Sequence, residues 1–260
     1  MSRPQALCGY CGKPGRSKEH HWGRWSRKLI PHRNPYALHK LSGVNKEGNA
    51  YSSSKKRPGD MRDQSIKMPC RACNMGWMKA VNEAAEPVLA RFSAGDWYEI
   101  NDEEKRALAA WATMFTMTYE YIDHATIAAS QYERDYVREN AIPPENWYVM
   151  IALYDVGYWT DATLHSGLWV TPPEYDPSLA PMNTQITTST FGKLLFHTFS
   201  TRADFDMNVG EYAFRLGLQT VWPLNGTRIR KPDRPHTDAE AHLIAYGLKE
   251  TLSGIGSADL

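Results

Sequence analysis

Four cysteines in two C-x-x-C steps, Cys8/Cys11 and Cys70/Cys73, bracket a Glu-His dipeptide, Glu19-His20, and the last cysteine is followed at once by Asn74. They are the only cysteines in the chain. Two thiolates separated by two residues can reach one ion, so a pair of such steps reads as a tetrahedral zinc site. Four thiolates leave no open coordination position, which makes that zinc structural. The carboxylate, imidazole and carboxamide beside the knuckles suit a second, harder cation. Mg2+ or Mn2+ prefers oxygen ligands and keeps several waters, so Glu19 and the side-chain oxygen of Asn74 suffice to hold it. His20 can take a proton from water near neutral pH. Phosphodiester hydrolysis needs these parts: an activated water, charge neutralisation at phosphorus and help for the leaving oxygen.

Plainer readings stand beside these. A lone Glu-His pair is usually surface decoration. Asn74 is a natural helix N-cap, and a side chain committed to backbone amides would not also face a cation. Adjacent strand residues point to opposite faces, so Glu19 and His20 can share one site only at a strand end or bulge. A simple zinc ribbon separates its knuckles by about 15–20 residues. Here 58 residues lie between Cys11 and Cys70, so the insert has a task of its own.

The elements that must hold these groups are uneven in texture. Residues 1–80 are rich in Gly, Pro, Ser and basic residues, which predicts a small zinc-stapled module whose core is too small to fold without metal. Ser42–Asp60 reads as a mobile basic loop. A short strand is expected at Ser65–Met68, and a helix capped by Asn74 runs toward Phe92, kinked or restarted at Pro87. Asn101 and Glu104 have capping-box spacing for a strong helix through Ile122. A third helix covers Gln131–Asn140. Trp147–Tyr154, Ala162–Val170, Gln185–Ser200 and Arg215–Trp222 read as strands of a mostly antiparallel sheet. Thr237 and Glu240 open a final helix to about Leu252. The fold class is therefore α+β: an N-terminal zinc-stapled ββα-metal nuclease module, central helices, and a C-terminal, mostly antiparallel β-rich region with a final helix. The expected division is 1–100 for the module and 101–260 for a helical linker plus β-rich accessory domain.

Hydrophobic residues make up 42 % of the 260, and mean hydropathy is −0.55, values of a globular chain with a real core. No apolar run is long enough to cross a membrane, and the first residues lack a signal-peptide stretch, so a cytoplasmic location and a metal rather than disulfides are expected. The formal net charge of +1 hides an asymmetry. Residues 1–80 carry 17 Lys+Arg against 4 Asp+Glu, a net of +13, and the remainder carries −12. A basic third around a candidate metal site points to a polyanion, above all nucleic acid.

The stretches Lys18-Glu19-His20-His21-Trp22-Gly23-Arg24-Trp25 and Cys70-Arg71-Ala72-Cys73-Asn74-Met75-Gly76-Trp77-Met78 resemble the two halves of the HNH endonuclease motif, also called the His-Me finger or ββα-metal motif. The closest subgroup has Asn in place of the final His and includes phage Holliday-junction resolvases. The resemblance covers roughly residues 5–90. It implies a DNA endonuclease with His20 as general base, a catalytic Mg2+ or Mn2+ on Glu19 and Asn74, and structural zinc on Cys8, Cys11, Cys70 and Cys73. It also implies 5′-phosphate and 3′-hydroxyl products, and roles in phage biology or defence are common in that family. His21 is the rival base. The middle Asn of the motif has no clear place; Asn45, Asn49 and Gln64 are its candidates.

Phosphate contacts are expected from Arg24, Arg27, Lys28, Lys55, Lys56, Arg57, Arg71 and Lys79, which supply sequence-independent affinity. Trp22, Trp25 and Trp77 are expected to form the small core around the zinc. His124, His165, His197, His236 and His242 show no ligand spacing. Two readings compete with a DNA endonuclease: a non-catalytic zinc-knuckle DNA-binding protein, and an RNA-directed nuclease. A homodimer would let two single sites cut both strands, with the β-rich half as its interface.

Overall fold

The computed structural model describes residues 6–22, 26, 36–44, 49–59, 64–160, 162–170, 182–204 and 207–255; along most of 36–57 it describes the backbone alone. The chain opens with strand β1 (Lys18–His20), then β2 (Tyr36–Val44) and β3 (Ala50–Pro58), then β4 (Ser65–Lys67). β1 and β4 pair antiparallel as a sheet of two. Helical turn α1 (Arg71–Cys73), a π turn (Asn74–Met78) and α2 (Lys79–Ala94) follow directly. The two-stranded sheet of β1 and β4 thus precedes the helix, with β2 and β3 between its strands.

Ser42–Asp60, expected to be a mobile loop, is corrected. Most of it is strand. β2 and β3 pair antiparallel from Tyr36↔Pro58 to Val44↔Ala50. β2 then adds in parallel to β6 (Thr163–Leu168), His39 opposite Thr163 and Val44 opposite Leu168. Serines and lysines have weak strand preference, so the pairing comes from a backbone partner more than a hundred residues away. Lysine-rich β3 lies at a sheet edge, where such residues discourage further pairing.

The helices follow their local signals more closely. The Asn101 side chain accepts from Glu104 N, Glu104 answers on the Asn101 amide, and α3 (Asp102–Tyr119) begins there. Ser130 and Glu133 do the same for α4 (Gln131–Asn140). α2 runs through Pro87 to Gly95, whose φ of 85° makes a left-handed C-cap. The irregularity falls instead at Gly76, with φ −96° and ψ −112° inside the π turn.

The large sheet has the order β3-β2-β6-β7-β8-β5-β9, with β5 (Trp147–Leu153), β7 (Thr184–Phe191), β8 (Leu194–Thr201) and β9 (Gln219–Trp222). Its last five strands, β6 to β9 in that order, are antiparallel throughout. The expected strand at Arg215–Trp222 starts later, because α5 (Val209–Arg215) takes its first residue. α6 (Asp238–Ile255) is the expected last helix. The molecule is mixed α+β.

Both faces of the sheet are covered at β5. Trp147, Val149 and Ile151 join one core with α2 and α3, while Met150 and Ala152 join a second core with α5 and α6. Polar side chains of fully buried β7 pair across strands: Thr187 with His165 at 2.8 Å, Thr188 with His197 at 2.8 Å, Ser189 with Thr163 at 2.7 Å. Each bond satisfies a hydroxyl that would otherwise be costly to bury. The first core also contains Cys8, Tyr10 and Trp22, so it runs across the expected boundary near residue 100.

Candidate functional site

The four cysteines converge. Their sulfur atoms all lie within 4.8 Å of one another, and Cys11 Sγ is 3.7 Å from Cys70 Sγ. A tetrahedral ion at about 2.3 Å from each sulfur sets the sulfurs about 3.8 Å apart, so this donor set fits one metal ion. Backbone amides point at the sulfurs: Tyr10 N at 3.4 Å and Cys70 N at 3.1 Å from Cys8, and Cys73 N at 3.4 Å from Cys70. Burial pushes the Cys8 thiol up, but the amides of Cys11, Cys70 and Tyr10 outweigh it and bring it to about 7. Burial raises the Cys11 and Cys73 thiols, which a bound cation would reverse.

Helix α1 begins with Cys70 as its N-cap, not with Asn74. This corrects the expected cap, and the reason is local: the Cys70 sulfur already accepts the first free amide. Asn74, one turn in, is released to reach the hairpin. Its Nδ2 donates to Lys18 O at 3.0 Å and to Ser17 Oγ at 3.2 Å. The amide nitrogen of Asn74 is thus held by the chain entering β1.

In the β1–β4 register, Glu19 lies opposite Ile66 and His20 opposite Ser65. Glu19 shares the face of buried Ile66, turned toward the helix, and is hydrogen-bonded to Asn74. Burial pushes its carboxyl up to about 7, and the Asn74 bond opposes that rise only in part. β1 ends at His20, and the next amide, His21 N, donates to Gln64 O at 3.1 Å. The pair therefore sits at a strand end, the condition under which both can serve one site. Glu19, His20 and His21 line one small pocket, closed by Met78 of the π turn, by Asn82 of α2 and by Trp111, Met114 and Thr118 of α3.

His20 is half-buried, whereas His21 is buried with its ring centroid 5.1 Å from that of Tyr119. Gln64 ties the end of the insert to β4: its Nε2 donates to Pro58 O at 2.9 Å. Among the candidates for the middle Asn, the Gln64 backbone carbonyl accepts the His21 amide; Asn49 is exposed, and Asn45 lies outside the described residues. Asn82 was missed by the sequence reading. Its Oδ1 accepts from Trp111 Nε1 at 3.1 Å, and its only sequence signal is a position two turns beyond Asn74.

Trp77 meets Tyr10 edge-on at 4.8 Å, beside the knuckles as expected. Trp22 is corrected. It is fully buried and stacks on Phe191 at 4.3 Å and 17°, in the main core. A ring that size finds no room in the small module and is satisfied by the sheet instead. Trp25, Arg24, Arg27 and Lys28 lie outside the described residues. Lys55, Lys56 and Arg57 are placed by backbone on β3, opposite His39, Leu38 and Ala37. Arg71 and Lys79 are exposed at the start of the helix, Lys79 with Glu83 at 3.5 Å. Among the described residues, no helix is long and apolar enough to cross a membrane.

No known family model, curated protein or solved structure matches the chain.

Proposed function

We propose that this chain is an HNH-type, metal-dependent DNA endonuclease with structural zinc on Cys8, Cys11, Cys70 and Cys73. The observation that carries this reading is the meeting of Glu19, His20 and Asn74 at one strand end and one helix start, beside the four thiols. Glu19 and Asn74 offer two oxygens for Mg2+ or Mn2+, and the ion when bound supplies charge neutralisation at the phosphate and the leaving oxygen. His20 removes a proton from the attacking water. The bond from phosphorus to the 3′ oxygen breaks, leaving 5′-phosphate and 3′-hydroxyl ends. The Gln64 carbonyl accepts the amide that follows His20. Arg24, Arg27, Lys28, Lys55, Lys56, Arg57, Arg71 and Lys79 provide phosphate affinity.

The test is incubation of the full chain with supercoiled plasmid, and separately with structured RNA, with and without Mg2+ or Mn2+. Divalent-dependent cutting of the plasmid is expected. His20→Ala should lower its rate about 10²–10⁴-fold with binding kept, and His21→Ala should have less effect. Binding without cutting would leave a zinc-knuckle DNA-binding protein, and cutting confined to RNA would change the substrate class.

A further inference from the structure

The small β1–β4 sheet sets like charges side by side. In its register Lys18 lies directly opposite Lys67. Both lysines are exposed, and among the described residues neither has an ion-pair partner. The His21 amide bonds the Gln64 carbonyl, so ladder bonds fall on that pair and on alternate pairs from it. Lys18↔Lys67, three steps away, is then a pair without ladder bonds, the kind whose side chains stand closest, with Cβ atoms about 5 Å apart. Like charges so opposed destabilise a sheet. Within the two strands nothing offsets them, because Glu19 shares the other face with buried Ile66.

The surrounding charge is one-sided. Residues 6–22 and 64–80 hold Lys13, Arg16, Lys18, Lys67, Arg71 and Lys79 against Glu19 alone. Arg16 is engaged by Leu7 O and Lys79 by Glu83, both within the protein. The backbone under the lysine pair is held in place. Asn74 Nδ2 donates to Lys18 O at 3.0 Å, and Ser17 N donates to Pro69 O at 2.6 Å, two residues beyond Lys67. Alternation along the strands makes His20↔Ser65 the next pair in the same row. Two residues of strand span about 7 Å, and a lysine carries its ammonium on a flexible four-carbon stem. The pair therefore reaches a phosphate next to the one that His20 serves.

We propose that Lys18 and Lys67 together grip one backbone phosphate of the nucleic acid, beside the phosphate that is cut. A phosphodiester between the two ammonium groups removes the repulsion that the free protein carries. The proposal rests on the endonuclease reading of the same module, but its test measures binding alone. Binding isotherms of the full chain over roughly 50–200 mM salt, in buffer free of Mg2+ and Mn2+, are run on a DNA duplex and on structured RNA, which share this chemistry. On the polymer that binds, the double variant Lys18→Gln/Lys67→Gln should flatten the plot of log K against log salt by about 0.9, one duplex phosphate. At 0.1 M salt that is a loss of about 8-fold in affinity. Lys13→Gln, at an exposed lysine of the same module outside the pair, should leave the slope unchanged. Lys67→Glu turns the opposed charges into an ion pair, so it should melt no lower than wild type while its affinity falls. An unchanged slope in the double variant, an equal change from Lys13→Gln, a lower melting point for Lys67→Glu, or a chain that binds neither polymer overturns the proposal. The expected slope change without divalent-dependent cutting would overturn the catalytic reading and leave this one standing.

Discussion

Replacing Glu19 by Gln should make the protein more stable at neutral pH. Burial raises the Glu19 carboxyl from 4.5 to about 7. The folded state therefore holds the Glu19 proton more tightly than the unfolded chain does. Stability falls as pH rises from 4.5 to about 7 and is level outside that window. The interval corresponds to roughly 3 kcal/mol, or about 2–3 kcal/mol once partial solvent access is allowed for. Gln keeps the shape and never ionises, so Glu19→Gln should gain that amount above pH 7 and almost nothing at pH 4.5. For a chain of this size the gain is roughly 5–10 °C in melting temperature. The assay is thermal melting at several pH values, in buffer free of Mg2+ and Mn2+ with the zinc retained. Adding Mn2+ should then raise the wild-type melting point more than that of Glu19→Gln, since a bound ion stabilises the ionised carboxylate. If the two proteins melt alike at pH 8, Glu19 is not buried as a charge; if they gain equally from Mn2+, it is not a metal ligand.

Cys70→Ser should lower bound zinc from one equivalent toward none and open residues 6–22 and 64–80 to limited proteolysis; a wild-type protein that holds no zinc by elemental analysis would refute the four-thiolate site. Glu120→Ala should cost about 3–5 kcal/mol in urea melts, because it strands fully buried Arg134 and the amides of Ala128 and Ala129 that Glu120 accepts at 2.8 and 3.2 Å. A cost below about 1 kcal/mol would show that this buried pair is not a joint of the fold. Reversing Lys55, Lys56 and Arg57 to Glu should flatten the salt dependence of DNA binding with His20→Ala as background, while Lys193→Glu at the β7–β8 turn should leave the slope unchanged. Equal effects from the two would show that DNA contacts are not confined to the N-terminal part and β3.

What the sequence makes legible here is what depends on near neighbours. The capping boxes at Asn101/Glu104 and Ser130/Glu133 each close within three residues, and both helices start where those residues predict. The knuckle spacing is equally local, and it foretells the cluster of sulfurs. α5 carried a local signal that went unread: Asn208 Oδ1 accepts from Glu211 N at 3.0 Å, a cap just before the residues expected to be strand. The insert was harder. Its Asn45–Asn49 stretch, with Gly48, has the composition of a hairpin connection, but the strands it joins are polar and gain their place from β6. Trp22 is the extreme case, since its partner Phe191 lies in another strand of another region and no periodicity links them.

That distant packing changes how the candidate site must be understood. The knuckle alone would orient the hairpin only with respect to the metal. Tyr10 adds a second constraint: its hydroxyl donates to Met114 O at 3.0 Å and lies 2.9 Å from Thr118 Oγ1 on α3. Gln131 adds a third by donating to Tyr10 O at 2.5 Å. Gly9 permits the approach, because a Cβ there would stand 2.7 Å from the Tyr121 ring. On the other side of the hairpin, Trp22 fixes the chain two residues after His20. His20 is thus held between the four-thiol cluster and the main core, to which Cys8, Tyr10 and Trp22 all contribute. Loss of the ion should therefore disorder the Cys8–Cys11 side first, while Trp22 still anchors the chain that follows His20.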